Sequence, residues 1–364
     1  MVRRVIIIDG YTDEPAGLGV PPYINTYPRL VAGSIWFADK SINVIYFTID
    51  LIRENIEKFM KIAKTCDVVV VIAGAEVPGR YLGGKPITVS ELERLMMLLD
   101  EKIRVLIGPA ARFGIGLGGG TIALSIKRLK RLFEYIVPGD PEFFFYEAIK
   151  HGWEKASTTE IRQNYDLANK SFYYGAKIIE QHPNYRWNLI VEIETFRGCP
   201  RYITGGCSFC IEPRTGMVVY RSIEGILREI EALDRFGAKH YRIGKQPDIL
   251  AYMAYDTGKI EFPKPNINAL RRLFHGIRSI ATNLKILHID NVNPGTIAHN
   301  KDEALEALKI ITKYHTPGDV AALGIESFDP KVIKYNNLKV YPDEALEAIR
   351  IINRVGSKRG WNGL

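Results

Sequence analysis

Short apolar runs alternate with amphipathic segments through the first part of the chain. The runs have the length of strands buried on both faces, and the segments between them have the spacing of helices. The predicted strands are Val5–Asp9, Asn43–Ile49, Val68–Ala73 and Arg104–Ile107. The predicted helices are Pro28–Asp39, Ile52–Lys64 and Val89–Asp100, the last with Ser90 as N-cap and Glu93 completing a capping box. This alternation predicts an α/β fold, with a doubly wound parallel sheet in residues 1–150.

A second alternating series begins at Trp187, after a polar and aromatic stretch, residues 151–186, that predicts a connector. The predicted strands are Leu189–Glu194, His240–Ile243, Lys285–Ile289 and Asp319–Ile325. The predicted helices are Ile223–Phe236, Ile267–Ile280, Asp302–Tyr314 and Asp343–Arg354. Four strand–helix units in order predict a partial (β/α) barrel in residues 187–364. A further strand would be expected after the last helix, so we expect a short form or a fragment.

Composition adds limits to this picture. With 46% hydrophobic and 25% charged residues, the chain has the make-up of a soluble globular protein. No uncharged apolar run reaches the ~18 residues of a membrane helix, and Asp9 ends the first run where a signal peptide would be cleaved. We therefore expect a cytoplasmic protein with no membrane partner. The net charge of +8 allows an anionic partner such as a nucleic acid without requiring one.

Cysteines give the most specific signal. Three of the four, Cys199, Cys207 and Cys210, have C-x7-C-x2-C spacing on a loop after the first strand of the second series. Clustered thiolates in a reducing compartment indicate a metal site. Three thiolates would hold a [4Fe–4S] cluster and leave one iron open. The alternative is structural zinc with Cys66 or His182 as fourth ligand, although zinc ribbons usually pair two C-x2-C knuckles.

This loop resembles that of the radical S-adenosylmethionine superfamily, with aromatic Phe209 before the last cysteine. Most members have C-x3-C-x2-C, so the longer first gap is a departure. The stretch Cys207–Pro213 and the helix Ile223–Phe236 resemble the methylthiotransferase branch. The whole chain, residues 1 to 364, resembles more fully a set of archaeal radical enzymes of the iron–sulfur oxidoreductase type, which normally carry a C-terminal helix-hairpin-helix.

The resemblance implies a mechanism. S-adenosylmethionine would chelate the open iron, and an electron from a reductant such as a ferredoxin or flavodoxin would cleave it to a 5′-deoxyadenosyl radical. The product chemistry would be methylation or methylthiolation of a nucleic acid or another macromolecule. The positions that match the family's cofactor contacts are Phe209, Gly244, Gln246, Asn291, Glu326 and Ser327.

Three of these positions also have a structural interpretation: Phe209 could pack, Gln246 could cap a loop, and Glu326 could pair with a Lys or Arg. After the third strand, either Asp290 or Asn291 could reach the cofactor or the substrate. No catalytic side chain is predicted. The functional alternative is a non-catalytic iron–sulfur protein that carries electrons or binds nucleic acid.

The first unit resembles, in position, the cobalamin-binding domains of radical methylases. Those domains commonly supply a histidine to cobalt, but residues 1–150 contain none. We therefore do not expect cobalt ligation by histidine; a domain that binds cobalamin without it is the alternative. Cys66 alone cannot hold a second cluster and is predicted to be a core residue. The Gly116–Thr121 stretch lacks the Lys-Ser/Thr of a phosphate-binding loop and predicts a flexible loop.

Overall fold

The computed structural model describes residues 2–14, 17–74, 83–115, 125–358, 360 and 362–364. The Gly116–Thr121 stretch lies outside these residues. By its internal contacts the chain divides into two units, Met1–Ile190 and Val191–Leu364. Within the described residues, no helix has both the length and the apolar character needed to cross a membrane.

The first unit is built on a parallel sheet of five strands. The strands of the whole unit, five of which form this sheet, are β1 (Arg4–Asp9), β2 (Asp13–Glu14), β3 (Gly17–Leu18), β4 (Tyr23–Ile24), β5 (Asn43–Thr48), β6 (Val68–Ile72), β7 (Ile103–Ile107) and β8 (Tyr135–Ile136). The sheet has the order β5-β1-β6-β7-β8, and each neighbouring pair is parallel. This is the 2-1-3-4-5 order of flavodoxin-like doubly wound sheets. The predicted fold class of this unit is confirmed.

The helices of the first unit differ from the predicted ones in their boundaries. They are α1 (Thr26–Ala38), α2 (Ile49–Glu54), α3 (Ile56–Ala63), α4 (Val89–Leu98), α5 (Pro109–Phe113), α6 (Ile126–Leu129), α7 (Pro141–His151) and α8 (Asp166–Gly175). The predicted helix Ile52–Lys64 is divided because Asn55 ends α2 and its side chain accepts the Lys58 N–H, at 2.9 Å, to begin α3.

Helix α4 is capped by Thr88, so the prediction of Ser90 as N-cap was wrong. The Thr88 hydroxyl accepts the Glu91 N–H at 3.3 Å, and the Glu91 carboxylate accepts the Thr88 N–H at 2.9 Å. Both pairs fit the sequence pattern of a capping box. The second acid, Glu93, instead pairs with Arg128 at 3.2 Å.

Residues 151–186, treated above as a connector, lie within the first unit and contain α8. This helix packs against α1 at two glycines. A Cβ added at Gly33 would lie 1.7 Å from the Ser171 carbonyl oxygen, and one at Gly175 would lie 2.0 Å from the Arg29 carbonyl oxygen. The two backbones thus approach too closely for any side chain. Because small residues make this contact, the segment shows little hydrophobic periodicity in the sequence.

The second unit contains shorter strands and longer helices. The strands are β9 (Ile190–Glu192), β10 (Phe196–Arg197), β11 (Val219–Tyr220), β12 (His240–Ile243) and β13 (Ile286–Ile289). The helices are α9 (Ile223–Arg235), α10 (Ile267–Ile280), α11 (Pro294–His299), α12 (Lys301–Tyr314), α13 (Pro330–Tyr335) and α14 (Pro342–Gly356). Strands β9, β12 and β13 are adjacent in one sheet, and β12 pairs with β13 in parallel. The strand–helix alternation is that of a partial barrel.

The prediction of a strand over Asp319–Ile325 was wrong: these residues form a single bridge, between Ala322 and Asn291, and Gly324 lies in the left-handed region at φ +56°. The reason lies in the Asp319 side chain. Both of its carboxylate oxygens accept the Ile289 N–H, at 2.9 and 3.0 Å, and His315 lies 2.9 Å from one of them. The Asp319 carboxylate therefore accepts the N–H of β13 that a backbone carbonyl of a neighbouring strand would otherwise accept.

A buried carboxylate lies at the carboxyl end of β1. Asp9 is 2% exposed, and it accepts hydrogen bonds from the Tyr46 hydroxyl at 2.6 Å and the Tyr11 N–H at 3.0 Å. Burial nevertheless raises the pKa of Asp9 to about 6, because removal from water costs the ionised form more than these two bonds return.

We expect the replacement Asp9→Asn to stabilise the protein more at high pH than at low pH. Because the folded-state pKa lies above that of the unfolded chain, Asp9 stabilises the parent at low pH, and this contribution is lost as the pH rises through about 6. Relative to the parent, the free energy of unfolding of the variant should rise by about 2 kcal/mol between pH 4.5 and 8, measured by urea denaturation. Asp100→Asn, at an exposed position, is the control. A difference that does not change with pH would contradict this assignment.

Candidate metal centre

The three clustered cysteines lie on a loop that begins after β10. A 3-10 turn, Pro200–Thr204, follows Cys199, and two glycines in the left-handed region follow the turn, Gly205 at φ +85° and Gly206 at φ +64°. A Cβ added at Gly206 would lie 2.2 Å from the ring of Pro213. Both its backbone conformation and its close contact therefore require glycine.

The thiols are withdrawn from water. Cys199 and Cys207 are each 8% exposed, Cys210 is partly buried, and the Cys210 N–H donates to the Cys207 carbonyl at 3.0 Å. Burial raises the pKa of Cys199 to about 12 and that of Cys210 to about 11. The thiols of Cys199 and Cys210 thus stay protonated at neutral pH, and a bound metal must displace these protons.

The donor set fits an iron–sulfur cluster. Three thiols on a glycine-rich loop match the ligands of a [4Fe–4S] cluster with one open iron. Among the described residues, no group of three or more His, Cys, Asp or Glu surrounds a single metal-ion position. A cubane needs no such position, because it binds each thiolate at a different iron. Cys66, offered above as a zinc ligand, is 1% exposed in the hydrophobic core of the first unit.

A distant segment, residues 336–338, holds the cysteine loop in place. The Ser208 N–H donates to the Asn336 carbonyl at 3.0 Å. The Asn337 side-chain amide donates to the carbonyls of Thr204 at 2.9 Å and Gly206 at 2.8 Å. Leu338, from the same segment, forms a buried cluster with the Cys207 side chain. The sequence analysis did not identify this segment, since it lies more than a hundred residues downstream.

Arg201, inside the loop, was also not identified from the sequence. Its side chain is 2% exposed, and its Nη1 donates to Cys207 Sγ at 3.1 Å. Its Nε pairs with Glu261 Oε1 at 2.7 Å, and its Nη2 donates to the Asn337 carbonyl at 2.9 Å. The structure therefore places a buried cation directly on one cysteine sulfur.

Charged side chains cross one face of the β9-β12-β13 sheet. Arg242 on β12 pairs with Glu192 on β9, at 2.5 Å, and with Asp290 after β13. Gly244 adjoins this row: an added Cβ would lie 1.9 Å from Glu192 Oε1. The Lys245 N–H donates to the same oxygen at 3.0 Å, and burial lowers the pKa of the Lys245 side chain to about 7. Gly244 thus has a packing reason to be glycine besides any contact with a cofactor.

The structure brings two of the predicted cofactor residues, Gln246 and Asn291, together at the ends of β12 and β13. Asn291 Nδ2 donates to the Gln246 backbone carbonyl at 3.3 Å. The Gln246 side chain is fully buried: its Oε1 accepts from the Thr195 hydroxyl at 3.1 Å, and its Nε2 donates to the Ile243 carbonyl at 2.6 Å. These bonds fix the loop, and the enclosed amide corresponds to the loop-capping interpretation given from the sequence.

The remaining predicted residues are more accessible. Phe209 is 60% exposed, and Glu326 is exposed at φ +66°. A Cβ built on Gly324 would lie 3.2 Å from Glu326 Oε1 and 2.4 Å from Lys339 Nζ, so carboxylate and ammonium flank this glycine. The Ser327 hydroxyl accepts the N–H of a residue two positions on, at 3.1 Å, in a local turn. The sequence analysis did not identify Lys339 as a neighbour of this site.

Comparison with known proteins identifies the second unit. Residues 193–364 match the profile of the Radical SAM superfamily. An uncharacterized protein of Methanocaldococcus jannaschii is 44% identical over 372 residues, which cover 100% of this chain and 66% of that protein. An uncharacterized protein of Archaeoglobus fulgidus is 39% identical over 361 residues, with 99% of this chain and 62% of that protein covered. The chain thus spans about two thirds or less of the length of these curated relatives.

Two solved structures of the radical S-adenosylmethionine methyltransferase TsrM from Kitasatospora setae share the fold. One, with tryptophan substrate and a cofactor analogue bound, has a TM-score of 0.58 at 12% identity and covers 97% of this chain and 66% of that one. The other, with cobalamin and a [4Fe–4S] cluster bound, has a TM-score of 0.58 at 14% identity, with 97% and 68% covered. At such identity the likeness shows the fold, and it confirms the predicted order of a cobalamin-binding-like unit before a radical barrel.

We expect Arg242→Met to destabilise the second unit strongly, because it removes the cation that pairs with the buried Glu192 carboxylate. Loss of one partner from a buried ion pair costs about 3–5 kcal/mol, measurable by urea denaturation. The double variant Arg242→Met/Glu192→Leu should recover part of this loss. Arg235→Met, which breaks an exposed pair with Glu231 at 3.7 Å, is the control and should change stability by less than about 1 kcal/mol. Equal effects of the two single variants would refute the structural role of the buried pair.

Proposed function

We propose that this chain, whose residues 193–364 match the profile of the Radical SAM superfamily, cleaves S-adenosylmethionine reductively at a [4Fe–4S] cluster held by Cys199, Cys207 and Cys210. The observation that carries this proposal is the loop itself, which presents three largely buried thiols among glycines in the left-handed region. When bound, the two cofactors supply one-electron cleavage of a sulfonium bond, with 5′-deoxyadenosine as the stable product. The protein supplies position, charge and protection from water.

We assign binding of S-adenosylmethionine to residues at the carboxyl ends of β12 and β13 and to residues 326–327 in the loop before α13. Gly244 lets the Glu192 carboxylate approach the backbone at the end of β12, and the fully buried Gln246 side chain holds the loop that follows. Asn291 holds the Gln246 backbone. The exposed carboxylate of Glu326 can accept from a sugar diol. We include Phe209 among the cofactor contacts because its ring is exposed on the cysteine loop. We include Ser327 because its hydroxyl forms the local turn that directly follows Glu326.

We propose transfer of a methyl or methylthio group to a nucleic acid or another macromolecule as the overall reaction. The net charge of +8 supports an anionic substrate, and the fold shared with TsrM supports group transfer. The electron would come from a low-potential donor such as a ferredoxin or a flavodoxin, and we place the reaction in the cytoplasm. No feature of the described residues specifically favours the non-catalytic alternatives, an electron carrier or a nucleic-acid binder.

We propose that any cobalamin would bind without a histidine ligand from residues 1–150, which contain none. The first unit holds two later histidines, His151, exposed at the end of α7, and His182, in the core. His182 is 3% exposed, its Nδ1 accepts the Asn184 N–H at 3.1 Å, and its ring packs against Tyr46. Burial lowers the pKa of His182 to about 3. A ring so enclosed offers no ligand to cobalt without unpacking the core.

Replacement of any one of Cys199, Cys207 or Cys210 by Ala should remove most of the cluster. Anaerobic reconstitution of the parent should give about four iron and four sulfide per chain, with broad absorbance near about 400 nm. The measurement is iron and sulfide content with the visible spectrum. Cys66→Ala, in the core of the first unit, is the matched control and should keep its iron. A colourless parent that holds stoichiometric zinc would refute the proposal.

Reduced, cluster-loaded protein should convert S-adenosylmethionine to 5′-deoxyadenosine, slowly when no substrate is present. Gln246→Ala and Glu326→Ala should weaken cofactor binding by about 1–3 kcal/mol each. Gln246→Ala removes the buried bonds that hold the loop after β12, and Glu326→Ala removes an exposed hydrogen-bond acceptor. The measurements are product formation by chromatography and the dissociation constant of S-adenosylmethionine. Gln163→Ala, at an exposed site of the first unit, is the control. If a fully loaded, reduced protein forms no 5′-deoxyadenosine even with candidate substrates, the electron-carrier function replaces this one.

A further inference from the structure

We infer that Arg201 is a positioning residue that raises the reduction potential of the cluster through its hydrogen bond to Cys207. This inference rests on the cluster proposed above. It assigns a purpose to the long first gap of the cysteine motif.

The Arg201 side chain is held from several directions. Nε pairs with Glu261 at 2.7 Å, and Nη2 donates to the carbonyls of Asn337 at 2.9 Å and Leu338 at 3.3 Å. The guanidinium also lies over the Phe262 ring, 6.0 Å from its centroid. These contacts leave Nη1 directed at Cys207 Sγ, 3.1 Å away. The donor is thus fixed before any cluster is present.

The position of Arg201 follows from the spacing of the cysteines. The motif has seven residues between its first two cysteines, four more than the C-x3-C common in the superfamily. The seven-residue gap contains the 3-10 turn Pro200–Thr204, which closes when the Tyr202 N–H donates to the Cys199 carbonyl at 2.9 Å. Arg201 is the second residue of this turn. The longer gap therefore contains the turn that places the Arg201 guanidinium against the sulfur of Cys207, the second cysteine of the motif.

The sign of the effect follows from charge. Reduction adds an electron to the cluster and its thiolates, and hydrogen bonds to the sulfurs stabilise that added negative charge. A buried guanidinium has a strong effect because charge-assisted bonds are about twice as strong as neutral ones and the site is poorly screened. Glu261, on the other side of the guanidinium, opposes this effect because its carboxylate is negative. Arg201 should raise the potential, and Glu261 should lower it.

The test is a potentiometric titration of the full chain, anaerobically reconstituted, followed by electron paramagnetic resonance and visible spectra. In Arg201→Gln, the ratio of reduced to oxidised cluster at a fixed potential should fall by about tenfold or more. In Glu261→Gln the same ratio should rise. Arg201→Lys, which keeps a charged donor, should lie between the parent and Arg201→Gln. Arg214→Gln, an exposed arginine on the same loop, is the matched control and should match the parent.

Iron content separates the possible failures. A parent that takes up no cluster refutes the proposed function, whereas loaded variants bear on Arg201 alone. An unchanged potential in loaded Arg201→Gln would overturn the inference, as would shifts of the same sign in Arg201→Gln and Glu261→Gln, because general loosening of the loop moves both alike. If Arg201→Gln loads no cluster, Arg201→Lys and Glu261→Gln decide. Opposite shifts in those two support the role, and unchanged potentials in both refute it.

Discussion

The cysteine loop of the second unit depends on hydrogen bonds that it cannot make with itself. Its glycines in the left-handed region leave backbone carbonyls directed away from any regular structure, and buried carbonyls need donors. The Asn337 side chain supplies two of these donors, to Thr204 and Gly206. The 336–338 segment lies between α13 and α14, so the position of the loop depends on how those helices pack. This tie fixes the backbone of the loop that carries the three thiols.

The same unit buries several charges, and each is held by another. Arg242 lies between two carboxylates on the sheet, and Arg201 lies between Glu261 and a cysteine sulfur. Such pairs cost desolvation and rarely add much stability, so their value lies in fixing geometry. A site that adds an electron to a buried cluster needs charge that does not reorient when the electron arrives. The buried pairs meet that need, since water and mobile side chains are kept out.

The first unit adds a doubly wound sheet whose carboxyl end is polar and buried. Asp9, Tyr46 and Tyr11 are joined there by hydrogen bonds, at the end of β1, next to the point where the strand order reverses between β1 and β6. Open α/β sheets bind their ligands at such switch points. Of the two histidines of this unit, His182 is enclosed in the core and His151 is exposed at the end of α7. The unit thus combines a doubly wound sheet like that of cobalamin-binding domains with the absence of histidine from residues 1–150.

Local signals determined much of this protein from the sequence alone. The apolar run of β6, the amphipathic face of α9 and the spacing of Cys199, Cys207 and Cys210 are each complete within a few residues, so the two α/β units and the cluster loop could be predicted. Contacts between distant residues decided the rest. Glycines bring α1 and α8 together without a hydrophobic periodicity in the sequence. The Asp319 side chain accepts an N–H that a strand backbone would otherwise accept. Arg201 bonds to Glu261 and Asn337, which lie 60 and 136 residues away in the sequence. No local pattern encodes such contacts, because the partner that satisfies a buried charge or carbonyl is chosen only when the chain packs.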